Sequence, residues 1–142
     1  MTADGPAFRL LPRLDPENEF FWTSGADGRL RFLRCQACQE YVHPPSPVCP
    51  TCLSSELDPV PVSGRATVVA HTLNVHGWIP GSEPYLVAWV AIDEQPDVRL
   101  TTNIVDTDAD QVRIGQDVEV RFEAHGEIHL PLFRPVSEAA GR

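Results

Sequence analysis

The chain has 142 residues, 42% of them hydrophobic, which allows one compact domain, or a small core with a stapled appendage, and excludes two full-size domains. It carries 11 basic and 20 acidic residues, and this formal net charge of −9 makes its surface repel polyanions. No apolar run reaches the roughly 18 residues of a membrane span, and the amino-terminal sequence lacks a secretory layout, so we expect a cytoplasmic protein.

Residues 1–27 are predicted to form an amino-terminal arm followed by a short helix. Asp15, Pro16 and Glu17 are typical of a helix start, because they supply a capping side chain, a proline at the first helical position and an acid near the positive end of the dipole. The helix should run to about Gly25. Its contiguous aromatic residues must dock onto another surface, so we predict partner-binding roles for Phe21 and Trp22.

The strongest signal in the sequence is a set of four cysteines at Cys35, Cys38, Cys49 and Cys52. Two C-x2-C turns each deliver two sulfurs from one tight loop, and a hairpin between them completes the tetrahedral shell of a zinc ion. Four thiolates leave no position for water, so the predicted zinc is structural. Two disulfides are the alternative, which would require an oxidising compartment. We assign residues 28–55 to a rubredoxin-like zinc ribbon.

Residues 56–142 are predicted to form a β-domain, because turn residues separate runs that favour strands and no second helical period is visible. The fold class is therefore mainly β. Five strands fit a small barrel of the OB type, with a five-stranded sandwich as the alternative. A final segment, Leu130 to Val136, is extended and rich in proline. The predicted strands are Glu56 to Val62, Ala66 to Val75, Tyr85 to Asp93, Val98 to Val105, and Asp117 to Ala124.

No local motif for catalysis is present. The sequence contains no nucleophile elbow, no H-E-x-x-H, no phosphate-binding glycine loop and no dinucleotide fingerprint, and its cysteines are committed to metal. Its five histidines are scattered, and His71 and His76 bracket the end of a predicted strand. The loop after this strand exposes Trp78, which we predict to contact a partner; the alternative is that the loop folds this indole back onto the barrel.

Several motifs in a fixed order resemble a known family. They are RCQACQEYVHPPSPVCPTC, SGRATVVAHTLNV, PYLVAWVAID, VRIGQDVEVRF and LPLFRPV, preceded by a short helix with a Phe-Trp pair. From Glu17 to Val136 the chain is similar to the zinc-ribbon and OB-fold family called domain of unknown function thirty-five. The resemblance implies a zinc ribbon joined to an OB-fold barrel.

The resemblance also implies a function. Members of this family act as partners of thiolase-fold, lipid-transfer-protein-like acyl-CoA enzymes, among them steroid side-chain aldolases, thiolases of the early mevalonate route and MaoC-type hydratases. We therefore expect a non-catalytic accessory subunit of an acyl-CoA aldolase or thiolase, in a heterotetramer with two copies of each chain. Such a subunit would help to bind a CoA thioester, and Arg65 and Arg134 are the candidates to contact its anionic groups.

Two competing functions are open at this point. A nucleic-acid-binding module is disfavoured by charge, because zinc bound by four thiolates would bring the net charge to about −11, whereas phosphate binding draws on basic side chains. A patch of Arg29, Arg31 and Arg34 keeps that alternative open. A stand-alone acyl-CoA enzyme is the other, with His71 or His76 as its base. We expect binding neither to nucleic acid nor to membranes.

Overall fold

The computed structural model describes residues 9–77, 80–81 and 83–136, in which eight strands form two antiparallel sheets. A three-stranded sheet has the order β2-β1-β3, and a five-stranded sheet has the order β6-β5-β4-β7-β8. One α-helix, α1, spans Glu19–Thr23. The strands are β1 Arg31–Cys35, β2 Tyr41–Val42, β3 Leu57–Pro61, β4 Arg65–Asn74, β5 Tyr85–Ile92, β6 Arg99–Asn103, β7 Asp117–His125 and β8 Ile128–Pro135.

The five-stranded sheet closes on itself between the end of β6 and strand β8, as an OB-type barrel requires. Ile104 forms a parallel bridge with Phe133, and the backbone N–H of Val105 donates to the Phe133 carbonyl at 2.8 Å. The Thr102 hydroxyl adds a hydrogen bond of 2.9 Å to the Pro131 carbonyl. The predicted mainly β fold is therefore confirmed.

Two segments were predicted in the wrong place. The segment Glu56 to Val62 was counted as a barrel strand, but its core, β3, pairs with β1 from Cys35–Leu57 to Arg31–Pro61 and so belongs to the three-stranded sheet. The proline-rich final segment is instead the fifth barrel strand. Strand β8 tolerates its prolines because only β7 pairs with it along its whole length. Its other side is bridged at Phe133, so the nitrogens of Pro131 and Pro135 can face that side without breaking a ladder.

The helix begins later and ends earlier than predicted. The Asp15 carboxylate does accept hydrogen bonds from the backbone N–H groups of Glu17 and Asn18, at 2.9 and 2.8 Å, but this caps a turn, and α1 begins only at Glu19. A 3-10 helix, Ser24–Asp27, follows α1. A side chain at Gly25 would collide with the Phe122 ring, so this glycine permits close packing on the barrel.

The amino-terminal arm is held on the barrel by charge and by apolar contact. Arg9 donates from Nε to Glu123 Oε1 at 2.6 Å and from Nη1 to Asn103 Oδ1 at 2.7 Å, and so links the arm to β7 and β6. Leu14 packs against a second apolar cluster on β8. Among the described residues, no helix is long and apolar enough to cross a membrane.

Replacing Thr102 with valine tests the closure of the barrel. Thr102 is buried, and valine keeps its shape while removing the donor to Pro131. We expect a loss of about 1–2 kcal/mol in the free energy of unfolding, measured by urea denaturation. Thr72→Val, at an exposed position on β4, should change stability by less than about 0.5 kcal/mol. Equal effects of the two substitutions would contradict a closing role for this hydroxyl.

Candidate metal centre and partner surfaces

The four cysteines lie on two loops with the same backbone geometry. In the first loop the N–H of Gln39 donates to the Cys35 carbonyl at 2.8 Å, and in the second the N–H of Leu53 donates to the Cys49 carbonyl at 2.8 Å. Both Gln39 and Leu53 have positive φ, 70° and 66°. Such left-handed backbone costs a non-glycine residue about 1–2 kcal/mol, so the loops are tight turns that other interactions must hold in shape.

The sulfur atoms are placed for a tetrahedral metal. The Sγ atoms of Cys35 and Cys52 are 3.5 Å apart, those of Cys38 and Cys49 are 3.6 Å apart, and all four lie within 4.8 Å of one another. A zinc ion with Zn–S bonds of about 2.3 Å would set its sulfurs about 3.8 Å apart. A disulfide requires about 2.0 Å, and the four cysteines are free.

Backbone N–H groups favour the ionised form of the two buried thiols. The N–H of Cys38 points to the Cys35 sulfur at 3.5 Å and lowers the pKa of that thiol. Hydrogen bonding from the N–H groups of Cys52 and Thr51 lowers the pKa of Cys49, and the Thr51 nitrogen lies 3.4 Å from its sulfur. Zinc binds thiolates, so these donors prepare the loops for metal.

A half-buried histidine lies against aromatic residues of the barrel core. The His43 ring lies 5.0 Å from that of Phe21 and 4.9 Å from that of Phe32, measured between centroids. Burial lowers the pKa of His43 from 6.5 to about 4, because the charged imidazolium is poorly solvated there. His43 is therefore neutral at physiological pH.

This burial predicts a dependence of stability on pH. Below pH 6.5 an unfolded His43 takes up a proton, whereas the folded protein does not until about pH 4, so stability falls as the pH is lowered across this range. We expect about 2 kcal/mol of the loss between pH 7 and pH 5 to come from this residue. Urea denaturation of His43→Gln should lack that part of the decline. A variant with the wild-type pH dependence would contradict the assignment.

The predicted anion-binding residues lie in one row across the barrel. Arg65 on β4 is paired with Glu119 on β7, and Glu119 is paired with Arg134 on β8, so their side chains share a face of the sheet. Arg134 Nε donates to Glu119 Oε2 at 3.1 Å. Sequence reasoning missed a third arginine on the same face, Arg121 on β7, whose Nε lies 3.2 Å from Asp106 Oδ2. Its position two residues after Glu119 was the available signal.

The predicted partner-binding aromatic residues differ in position. Phe21 is only 2% exposed and packs in the core against Phe32. Because its ring has no free surface, the predicted direct contact of this ring with a partner is not possible in this structure. Trp22 is half-buried, with its ring 4.9 Å from that of Phe21. Trp78 lies outside the described residues.

An exposed tryptophan on β5 was missed. Trp89 is 48% exposed, its indole N–H donates to the Thr101 hydroxyl at 2.9 Å, and the Arg99 guanidinium lies 5.8 Å from the ring centroid. Tyr85 on the same strand is 41% exposed. The segment YLVAWVAI lies in the predicted strand Tyr85 to Asp93, and the period of two along a strand places Tyr85 and Trp89 on the same, outer face. Among the described residues, the four cysteines are the only group of three or more metal-binding side chains that converge.

Comparison with known proteins agrees with this geometry. Residues 22–58 match the family model for the rubredoxin-like zinc ribbon domain of ChsH2, and residues 59–123 match that for the ChsH2 C-terminal OB-fold domain. The first match and the converging sulfurs confirm a structural zinc site formed by the four cysteines.

Curated proteins of two kinds are similar to the chain. The "Probable enoyl-CoA hydratase alpha subunit" of Thermomonospora curvata is 37% identical over 91% of this chain, which spans only 40% of that relative. A "DUF35 domain-containing scaffold protein" of Methanothermobacter thermautotrophicus is 33% identical over 63% of this chain and 68% of its own length.

The solved structure named "Ltp2-ChsH2(DUF35) aldolase" contains a chain that is 37% identical, with a TM-score of 0.79 over 88% of this chain and 98% of that one. A DUF35 protein of unknown function from Sulfolobus solfataricus, at 14% identity and a TM-score of 0.61, supports the fold alone. The chain belongs to the ChsH2 (DUF35) family of zinc-ribbon and OB-fold proteins.

Proposed function

We propose that the chain is a non-catalytic accessory subunit that binds a thiolase-fold acyl-CoA aldolase or thiolase and helps to form its CoA-thioester site. The observation that carries this proposal is the similarity to a chain in the structure named "Ltp2-ChsH2(DUF35) aldolase". The match covers 98% of the length of that chain. The scaffold proteins among its relatives support a binding role in the same direction.

The chemistry of the described residues supports a binding role. The four cysteines fill the shell of a zinc ion and leave no position for a substrate or a water molecule. When bound, this zinc supplies folding free energy rather than Lewis-acid chemistry. His43 is enclosed by aromatic rings, and the pKa that burial lowers to about 4 makes it a poor base near neutral pH. Catalytic groups would then come from the partner.

The test is assembly. The chain should be co-expressed with each thiolase-fold protein encoded near its gene, and the products analysed by size-exclusion chromatography with light scattering. We expect a stable complex with two copies of each chain and an aldolase or thiolase activity that the partner lacks alone. A β-hydroxyacyl-CoA with a steroid side chain is the first substrate to test.

Two outcomes would contradict the proposal. One is a partner that is soluble and fully active alone, with unchanged kinetics after the chain is added. The other is turnover of acyl-CoA by the purified chain, since a non-catalytic subunit has no such activity. An enoyl-CoA hydratase subunit should be included in the same assay, because one relative carries that name.

The arginine row is the proposed contact for the anionic groups of the CoA thioester. Arg65 and Arg134 flank Glu119 on one face, and Arg134 is 46% exposed, so a phosphate can reach its guanidinium. Arginine binds phosphate through paired N–H donors. In the complex, Arg65→Ala should raise KM for the thioester at least fivefold with little change in kcat. Arg29→Ala, at an exposed arginine in the turn before β1, is the matched control.

A further inference from the structure

Strand β4 is paired along most of its length on one edge, by β5, but only at its start on the other edge, by β7. It pairs with β5 from Ala66 to Asn74, but with β7 only from Arg65 to Thr67. The N–H and C=O of Val68 are still satisfied, by Gln116 at 3.0 Å and Gly115 at 2.8 Å. A register shift at Val69 follows, and beyond it no described residue pairs with the β7-facing edge of β4. Within the described part of the chain, residues 70–74 therefore have one side that pairs with no strand, which we call the β4 edge.

The backbone groups that face this edge can be identified from a bond on the other side of the hairpin. The Leu86 carbonyl accepts a hydrogen bond of 2.9 Å from the Asn103 side chain on β6, so it points away from β4. Leu73, opposite Leu86, is consequently in a pair that exchanges no backbone bonds. Because such pairs alternate along an antiparallel ladder, the N–H and C=O groups of both His71 and Leu73 face the β4 edge.

The β4 edge lacks the usual protection against other strands. Exposed edges are normally blocked by charged side chains or proline, yet the sequence from Ala66 to Val75 contains neither, in a chain that is 22% charged. Large apolar side chains are exposed along it instead: Leu73 is 45% exposed, Val75 72%, and Ile114, next to the Gly115 that binds Val68, 70%. Backbone donors and acceptors thus lie beside apolar side chains.

We propose that the β4 edge binds an extended strand of the partner enzyme by strand addition. This inference rests on the proposed function, because the strand belongs to the thiolase-fold acyl-CoA enzyme. The backbones of His71 and Leu73 together supply two N–H and two C=O groups for main-chain hydrogen bonds. The side chains of Leu73 and Val75 supply apolar contacts. The strand that fits carries apolar residues at alternate positions and basic residues at its ends, since this chain has a net charge of −9.

Other occupants of the β4 edge fit less well. Pairing of two copies along this edge would bring together two chains of −9, whose repulsion opposes assembly. The carboxy-terminal segment of this chain, residues 137–142, reads SEAAGR and contains none of the β-branched or aromatic residues that favour strands. A strand of a less acidic partner can bond to the free backbone groups without the electrostatic repulsion that a second copy would meet.

The test uses proline as a probe of the backbone. Leu73→Pro and His71→Pro each remove an N–H that faces the edge and leave the hydrogen bonds between β4 and β5 in place. Leu73→Ala is the matched control, because it shortens the side chain and keeps the amide. With the enzyme that assembles with the wild-type chain, we expect each proline to weaken binding at least tenfold. The alanine should weaken binding less than Leu73→Pro does, because it removes only the side-chain contact and keeps the amide. Zinc content and thermal unfolding check that each variant is folded.

Hydrogen exchange of the wild-type chain supplies a measurement that needs no variant. In the isolated chain the amides of His71 and Leu73 should exchange quickly, whereas those of Thr72 and Asn74, which face β5, should be protected. Assembly should slow exchange at His71 and Leu73 at least a hundredfold. Unchanged exchange in an assembled complex would overturn the inference.

The remaining outcomes separate this inference from the proposed function. If the wild-type chain assembles and Leu73→Pro binds equally well, or no worse than Leu73→Ala, strand addition is wrong and the accessory role stands. If the wild-type chain binds no thiolase-fold enzyme, both are wrong. A wild-type dimer that Leu73→Pro converts to a monomer would identify a second copy as the occupant. Faster exchange at Leu73 after deletion of residues 137–142 would identify the chain's own tail as the occupant. Either result would overturn the inference that a partner strand binds the β4 edge.

Discussion

Cys49→Ser is expected to abolish stoichiometric zinc binding and to unfold the three-stranded sheet. The apolar cluster beneath this sheet consists of four buried residues, and two of them, Cys35 and Cys49, are themselves ligands. Phe32 anchors β1 in the main core, but this small cluster cannot keep β1 to β3 paired around the two cysteine loops without the metal. Zinc binding contributes on the order of 10 kcal/mol in structural sites. Zinc content by mass spectrometry and hydrogen exchange of residues 31–61 measure the effect.

Thr51→Ser provides the matched control for the cysteine substitution. It places a serine in the same loop as Cys49, at an exposed position, and removes no ligand. This variant should keep one zinc ion per chain and the wild-type exchange pattern. A Cys49→Ser protein that retains a full equivalent of zinc and a protected ribbon would contradict a folding role for the tetrathiolate site.

Phe32→Ala is expected to lower the free energy of unfolding by about 3–5 kcal/mol. Phe32 lies on β1 of the ribbon, yet its side chain is fully buried in the main core, with ring centroids 5.8 Å from Phe21 and 4.9 Å from His43. Removing the ring leaves a cavity where the ribbon meets the barrel. Urea denaturation measures the loss.

Two features make the Phe32 prediction specific. Phe32→Leu should cost less than half as much, because leucine keeps most of the buried volume. Both variants should retain zinc, because the four cysteines lie on loops that are closed by hydrogen bonds within each loop and not by Phe32. If Phe32→Ala cost less than about 1 kcal/mol, the ribbon and the barrel would not share the core that the structure shows.

Features that depend on local spacing could be predicted from the sequence. The zinc ligands lie in two tight turns, and each turn needs only residues between Cys35 and Leu53, so their spacing was sufficient. Barrel strands β4, β5 and β7 were predicted to within about two residues because their apolar and turn residues are contiguous in the chain.

Features that depend on distant pairing could not be predicted. Nothing in Leu57–Pro61 itself reveals that its partner is β1 rather than a barrel strand. The close packing of Gly25 against Phe122 on β7 likewise joins residues that are far apart in the chain. Phe21 has the sequence context of an exposed aromatic residue, but Phe32 and His43 enclose it in the folded chain. The row joining Arg65 to Arg134 likewise exists only through Glu119 on the strand between them.

The most direct test compares zinc-loaded and zinc-stripped chain as ligands of the thiolase-fold partner by isothermal titration calorimetry. If the metal fixes the shape that the partner recognises, the loaded chain should bind with a stoichiometry of one to one, the stripped chain should bind at least a hundredfold more weakly, and added zinc should restore the affinity. Equal binding of the two forms would contradict the account.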